Sequence, residues 1–448
     1  MLEQARQIAD KLRRAGARDC LMVGGYVRDR LMGIDSKDID LEVYGLSYRQ
    51  IVNALRDLRV DLVGKSFGIL KIGPHIDVSI PRRERKQGAG HRAFAIEPDP
   101  DMTYREAASR RDFTINSIAM DFEGRIIDPY DGQGDIRRKL LRATSAAFKE
   151  DPLRVLRGMQ FASRLGFEMA ADTVQMCREI SGEFADLSRE RIYDEWAKWT
   201  RGDHPVKGLS LLQDTGWLDH FPALANMAGT PQDPVWHPEG DVWVHTALVC
   251  DAAAKIANRR GFSPEERLQL MFAALLHDAG KAVTTEKNEQ GRWVSPGHAG
   301  EGVPIARRFL RALGAPGRII DTVPPLVAEH MVHISLPADQ EPGIRLIRRL
   351  ANRLTPANIR LWAALCEADY SGRPPLPAGN PVAHWEEVAQ QQEVENTRPG
   401  PLLLGRHLID RGIAPGPEMG RLLKAAYEAQ LDGAFDDLEG ALAWLNQQ

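Results

Sequence analysis

The chain has 448 residues, of which 43% are hydrophobic and 27% charged, with a net charge of −4. These are the proportions of an ordinary globular protein, long enough for two or more domains, and the charge neither requires nor forbids a polyanionic partner. No apolar run reaches the length of a membrane span, and the four scattered cysteines include no CxxC pair, which argues against a disulfide framework or a thiolate zinc site and fits a reducing cytoplasm.

The N-terminal run MLEQARQIADKLRRAG reads as an amphipathic helix and not as a signal peptide. Leu21 to Val23 then reads as a short strand, Gly24-Gly25 as a tight turn and Tyr26 to Met32 as a helix. Such a turn turns backbone N–H groups and a helix start towards a phosphate. Asp38 and Asp40 follow in a strand-like stretch, and their spacing puts both carboxylates on one face. Hard oxygen donors at that spacing suit two Mg2+ ions that polarise a triphosphate and activate an attacking hydroxyl. Taken alone, the same residues read equally as a surface turn with a solvated acidic edge.

The runs DIDLEVY, VDLVG, GILKIG, HIDVSIP, TINSIAMDF and RIIDPY continue a strand-rich α+β pattern to about residue 145. Asp77 is a candidate third carboxylate, or else a strand-end surface residue. A polar loop at 84–102 follows, with Arg82, Arg83, Arg85, Lys86, His91 and Arg92 close together. In the next strand entrance, Arg110 and Arg111 suit bidentate phosphate contact, and Asp112 suits acceptance from a ribose hydroxyl.

From Thr144 onward the apolar spacing turns helical. Asp151 and Arg154 lie three apart at a helix start, so they form a local salt bridge or a base-reading pair. As a base-reading pair, one acceptor beside donors would take the amino and ring-nitrogen edges of cytosine and adenine and reject uracil and guanine. Pro/Gly-rich stretches at 229–240, 371–381 and 397–401 read as loops, and the last segment as a small helical unit.

The ordered series GGYVRD, DID, RRDFTINSIAMD, DGQGD, EDPLR and SRERIYDEW resembles the class II tRNA nucleotidyltransferases, the CCA-adding enzymes, whose head is shared by bacterial poly(A) polymerases. The resemblance implies a polymerase-β-like mixed-sheet head over 1–145, a helical RNA-binding neck over 146–228, and helical segments beyond. It implies metal binding by Asp38 and Asp40, which Asp77, as the candidate third carboxylate, would join in catalysis. It places nucleotide binding on Gly25, Arg28, Arg110, Arg111, Asp112, Asn116, Asp151, Arg154 and Arg157, with Glu190 and Arg191 supporting the neck helix. The expected partners are tRNA, CTP and ATP, with Mg2+ as cofactor. A poly(A) polymerase and an enzyme adding only the terminal A share all of these residues.

His245, the His277-Asp278 pair and Asp369 look like the HD phosphohydrolase pattern, expected over 229–380 with a C-terminal tail over 381–448. Imidazoles with carboxylates favour Mg2+ or a transition metal such as Ni2+ or Mn2+. His298, His330 and His333 are candidate further ligands, His237 a metal-site or structural residue, and Lys281 a phosphate contact. The combination resembles a bacterial subgroup of CCA-adding enzymes with an HD domain, which implies 2′,3′-cyclic phosphodiesterase and phosphatase activity. An HD phosphohydrolase with an RNA-binding head is the reading from another class. The amphipathic faces serve a core or an interface equally, so oligomeric state stays open.

Overall fold

The structure, a computed structural model, describes residues 1–58, 60–63, 69–86, 94–337 and 340–448. Its contacts gather into two compact units: Met1–Trp199 with Lys207–Trp217, and Thr200–Val206 with Leu218–Gln448. Of the span 146–228, residues up to Trp199 and Lys207–Trp217 thus group with the head. Among the described residues no helix is long and apolar enough to cross a membrane.

In the first unit, β1 (Asp19–Val23), β2 (Ile39–Tyr44), β3 (Val60–Val63), β4 (Ile69–Ile72) and β5 (Ile76–Ser79) build most of one sheet. The further described strands of this unit are β6 (Arg82–Lys86), β7 (Phe94–Pro98), β8 (Ala119–Met120), β9 (Ile126–Ile127), and the short parallel pair β10 (Leu140–Leu141) and β11 (Glu168–Met169). The main sheet runs β3-β4-β5-β2-β1-β8-β9, and only β2 and β5 pair in parallel. This is the mixed-sheet α+β head that the alternation of apolar residues implies. In β2, Ile39, Leu41 and Val43 point into the core beneath the helix Leu2–Arg14, whose Ile8 and Leu12 meet them. Period two then sends Asp40 and Glu42 to the opposite face. Asp38 falls just before β2 and is exposed, because the chain is still bending there.

The polar segment expected as a loop at 84–102 is partly ordered: β6 and β7 pair as an antiparallel two-stranded ribbon. His91 and Arg92 lie outside the described residues. Thr103 then starts the helix Tyr104–Ser109 through a reciprocal capping box with Glu106.

The second unit is helical. Asp241 caps the helix Val242–Arg259 by accepting from Val244 N–H, and Ser263 with Glu266 caps Pro264–Leu276. These two helices pack on each other and on Ile359–Ser371, while His298–Leu313 packs on Gly317–Glu329. The last residues form a small cluster of their own around Leu408, Ala426 and Ala441.

Candidate functional site

The first site opens on the polar face of the head sheet. The parallel register sets Asp40 directly beside Asp77, and both carboxylates face a cavity of about 290 Å³ that also receives Glu42, Arg82, Arg110, Arg111 and Arg154. Asp40 is open to solvent yet flanked by protein. Burial pushes its carboxyl above the usual range, opposed by Arg111 and reinforced by Asp77, Asp38 and Glu42. Asp77 is raised too, by burial first, with Lys71 opposing and Asp38 adding. Asp38 is exposed and does not line this cavity; His75 Nδ1 lies 3.1 Å from its Oδ1. An acidic cluster with raised carboxyls is a site short of positive charge, and its oxygen donors fit Mg2+.

Gly24 is glycine for two local reasons. Its φ of 69° is left-handed, and a Cβ there would stand 3.0 Å from Arg111 Nη1 and 3.6 Å from Asp40 Oδ2. The turn thus brings bare backbone up to the carboxylate and the guanidinium.

Several expected nucleotide contacts lie behind the cavity. Arg28 is buried next to the Gly24-Gly25 turn, with its guanidinium held by Asp29 (2.6 and 2.8 Å) and by Asn116 Oδ1 (2.7 Å). Asn116 in turn donates to Asp112 Oδ1 (2.9 Å), and Arg157 grips Asp112 Oδ2 through Nε (2.8 Å) and Nη2 (2.6 Å). Phe113 N–H also donates to Asp112. Burial opposes charge on Asp112, but Arg157 and these donors hold its carboxyl below the usual value. With both oxygens occupied, Asp112 is a keystone of this network. Asp112→Ala should therefore lower stability by about 2–3 kcal/mol, the cost of unpairing a largely buried ion pair discounted for the partial exposure of Arg157. A shift of the urea midpoint checks this; an unmoved midpoint removes the keystone role.

The expected Asp151–Arg154 neighbourhood is arranged differently. Arg154 donates to the carbonyls of Ala147 (2.5 Å) and Arg110 (2.8 Å) and reaches the cavity. Asp151 accepts from Leu153 N–H and pairs with Arg191 Nη2 at 2.7 Å. Arg191, expected only to support a neck helix, is thus the charged partner of Asp151, while Glu190 is exposed. Glu150 takes Arg110 at 2.8 Å. Glu42 was missed: its Oε1 accepts from Arg111 (3.4 Å) and its Oε2 from the Tyr44 hydroxyl (2.6 Å). Continuing the alternation Asp38, Asp40, Glu42 by one step would have found it.

The second site lies in the helical unit. His277 and Asp278 end the helix Pro264–Leu276, His245 comes from Val242–Arg259, Asp369 from Ile359–Ser371, His298 begins its helix and His330 ends Gly317–Glu329. Gly280 makes the approach possible, since a Cβ there would lie 2.0 Å from His298 O and 2.7 Å from Gly302 N. His245 Nε2 is 3.1 Å from Asp369 Oδ1 and 3.7 Å from Asp278 Oδ2; His277 Nε2 is 3.3 Å from the latter. The other oxygen of Asp278 faces His298 (3.3 Å) and His330 (3.7 Å).

Hydrogen bonds on the far side of each ring set these imidazoles. His277, His298 and His330 each bond through Nδ1 to the carbonyl three residues earlier, of Ala274 (2.8 Å), Ser295 (2.8 Å) and Val327 (2.7 Å). Their Nε2 lone pairs therefore face inward. His298 and His330 Nε2 stand 3.2 Å apart, and buried His277 Nε2 makes no hydrogen bond among the described residues. Facing lone pairs repel unless a cation lies between or beside them, so the ligand groups His245/His277/Asp369 and Asp278/His298/His330 fit a metal. Burial works against charge on Asp278, but Lys281 and the imidazoles hold its carboxyl far below the usual range.

His245 differs, because its Nδ1 lies 2.8 Å from Glu239 Oε1, which also takes His237 Nδ1 at 2.9 Å. Burial opposes charge on Glu239, but both imidazoles hold its carboxyl down to about 2. Glu239, two residues past His237 in WHPEGD, was also missed, and that spacing was its signal. Lys281, expected to meet phosphate, is paired with Asp278 Oδ2 (2.7 Å) and Gln232 (2.8 Å). His333 bonds the His330 carbonyl and lines the adjoining cavity, but falls outside the ligand groups among the described residues.

Residues 20–142 match the poly A polymerase head domain, 166–227 the probable RNA and SrmB-binding site of polymerase A, and 242–365 the HD domain. The multifunctional CCA protein of Vibrio parahaemolyticus is 34% identical over 361 residues, covering 79% of this chain and 85% of that one. A solved Bacillus stearothermophilus CCA-adding enzyme in complex with CTP shares the fold at a TM-score of 0.66 and 23% identity, covering 99% of this chain and 96% of that one. The Thermotoga maritima CCA-adding enzyme complexed with tRNA gives a TM-score of 0.60 at 17% identity, covering 99% and 94%. The fold and the paired sites define a nucleotidyltransferase that carries an HD domain. Within that class, the chain belongs to the multifunctional CCA protein family of CCA-adding enzymes.

Proposed function

We propose that this protein adds or repairs the 3′-terminal CCA of tRNA from CTP and ATP without a nucleic-acid template. The observation that carries the reading is the side-by-side placement of Asp40 and Asp77 in a cavity with Arg110, Arg111 and Arg154. Asp38, Asp40 and Asp77 would hold Mg2+, which supplies charge for the triphosphate and for the attacking oxygen. Arg110 and Arg111 orient the phosphates and offset charge that builds on them. As the tRNA 3′-oxygen bonds to the α-phosphorus, it gives up its proton and the bond to pyrophosphate breaks. Arg154 at the cavity wall and Asp151, steadied by Arg191, would read the base edge.

The test is product length. Purified protein with Mg2+ and a tRNA lacking CCA is expected to add C, C and A in order and stop, and to leave UTP and GTP unused. Growth only on tRNA already ending in CC would mean an A-adding enzyme, and long A tails a poly(A) polymerase.

A second activity is favoured by the 3.2 Å approach of His298 and His330 Nε2 beside the shared Asp278 carboxylate. The HD centre would bind a transition metal such as Ni2+ or Mn2+, which supplies Lewis acidity for phosphoester hydrolysis. His245, His277, Asp278 and Asp369 would hold it, with His298 and His330 completing the set.

A further inference from the structure

The HD residues form only one end of a cavity of about 860 Å³. Pockets of ~300–1,000 Å³ hold whole drug-sized ligands, so this one has far more room than a phosphate group needs. Beyond Asp278 and Asp369 the lining turns aromatic and apolar, with Trp236, Trp293, Ile334 and Tyr370. Trp236 is 60% exposed and Ile334 63% exposed, which is unusual for side chains of this size.

Trp236 is exposed on a backbone that is firmly held. Its N–H and that of His237 both donate to Asp233 O (3.1 and 2.9 Å), and Val235 N–H donates to Asp233 Oδ1 (3.0 Å). Arg292 pins Asp233 at 2.7 Å. A rigid turn thus presents a large indole face to the cavity without packing it away. On another wall, the Arg373 guanidinium already lies 4.7 Å from the Tyr370 ring centre, a cationic and aromatic surface of the kind that takes both a base and its phosphate.

We propose that Trp236 heads a nucleobase subsite that holds the nucleotide preceding the reacting end, so that the HD centre takes the 3′ end of an RNA strand in preference to a free mononucleotide. This rests on the phosphohydrolase reading of the HD centre. Single-stranded RNA fits because every base offers a π face, and the Arg373 charge complements a backbone phosphate. An apolar phosphoester would use the indole and Ile334 but not the cation.

The test compares kcat/KM for adenosine 2′,3′-cyclic phosphate with that for a dinucleotide bearing the same cyclic end. In the wild type the dinucleotide is expected to be favoured about tenfold, most of that ratio lost in Trp236→Ala and retained in Trp236→Phe. A wild-type ratio near one, a ratio unmoved by Trp236→Ala, or a simple alkyl phosphate outcompeting the dinucleotide overturns the subsite. If neither substrate is hydrolysed, the phosphohydrolase reading fails, and fluorescence anisotropy of a labelled dinucleotide 3′-phosphate in EDTA decides the subsite separately. Binding about tenfold weaker in Trp236→Ala supports it, and equal binding overturns it.

Discussion

Asp40→Asn is expected to lower CMP and AMP incorporation about a thousandfold, a loss of roughly 4 kcal/mol of transition-state stabilisation. The residue shares a register position with Asp77 and faces Arg111, so its charge is concentrated where a triphosphate must sit. The same substitution should leave stability unchanged or slightly raised. Burial lifts the Asp40 carboxyl above its unfolded value, so the folded metal-free protein binds that proton more tightly than the unfolded chain. Wild type therefore gains stability from Asp40 as pH falls through that range and is penalised by its charge above it; asparagine carries no such penalty. Incorporation assays and thermal melts in EDTA on the same preparation read both effects. Near-wild-type incorporation would remove Asp40 from the metal site, and a markedly lowered melting temperature would overturn the stability expectation.

Asp278→Asn should have an equally large effect on the other centre, with the opposite stability signature. Asp278 faces four imidazoles and Lys281, so losing its charge should cost most of the divalent-metal content and about a thousandfold in phosphoester hydrolysis. In the metal-free protein it should also cost ~3 kcal/mol, because buried Lys281 is left with Gln232. The wild-type carboxyl lies far below its unfolded value, so its stabilisation is present above the unfolded value and is lost as pH falls towards the folded one. Metal content by elemental analysis and hydrolysis rates provide the check, with nucleotide addition by the same preparation as the control for folding. Full metal content with full hydrolysis would sink the assignment.

The sequence carried the outline of both centres well, because each depends on short-range rules. Alternation in β2 and the run HIDVSIP predicted where Asp40 and Asp77 would sit, and the parallel register brought them together. The helix-end position of His277-Asp278 was equally readable. Partnerships across the fold were not. Arg191 meets Asp151 across 40 residues of chain, and Arg157 meets Asp112 across 45. Nothing in local spacing distinguishes these arginines from solvated ones. Glu42 was overlooked for a different reason: a glutamate among Leu, Val and Tyr reads as an ordinary strand residue until Arg111 arrives opposite it. The ribbon of β6 and β7 escaped because β6 is charged at every position and so lacks the apolar alternation that marks a half-buried strand.

The outer bonds of the imidazoles bear on which mutations the HD centre can absorb. For His277, His298 and His330 the outer partner is main chain, and no substitution at Ala274, Ser295 or Val327 deletes a carbonyl. Their aim is inherited with the helix ends and is buffered against sequence drift. His245 alone leans on a side chain, Glu239, so a single codon change can swing its ring. Position 239 is therefore where the arrangement of the HD centre can be lost while every inner histidine and aspartate is still encoded.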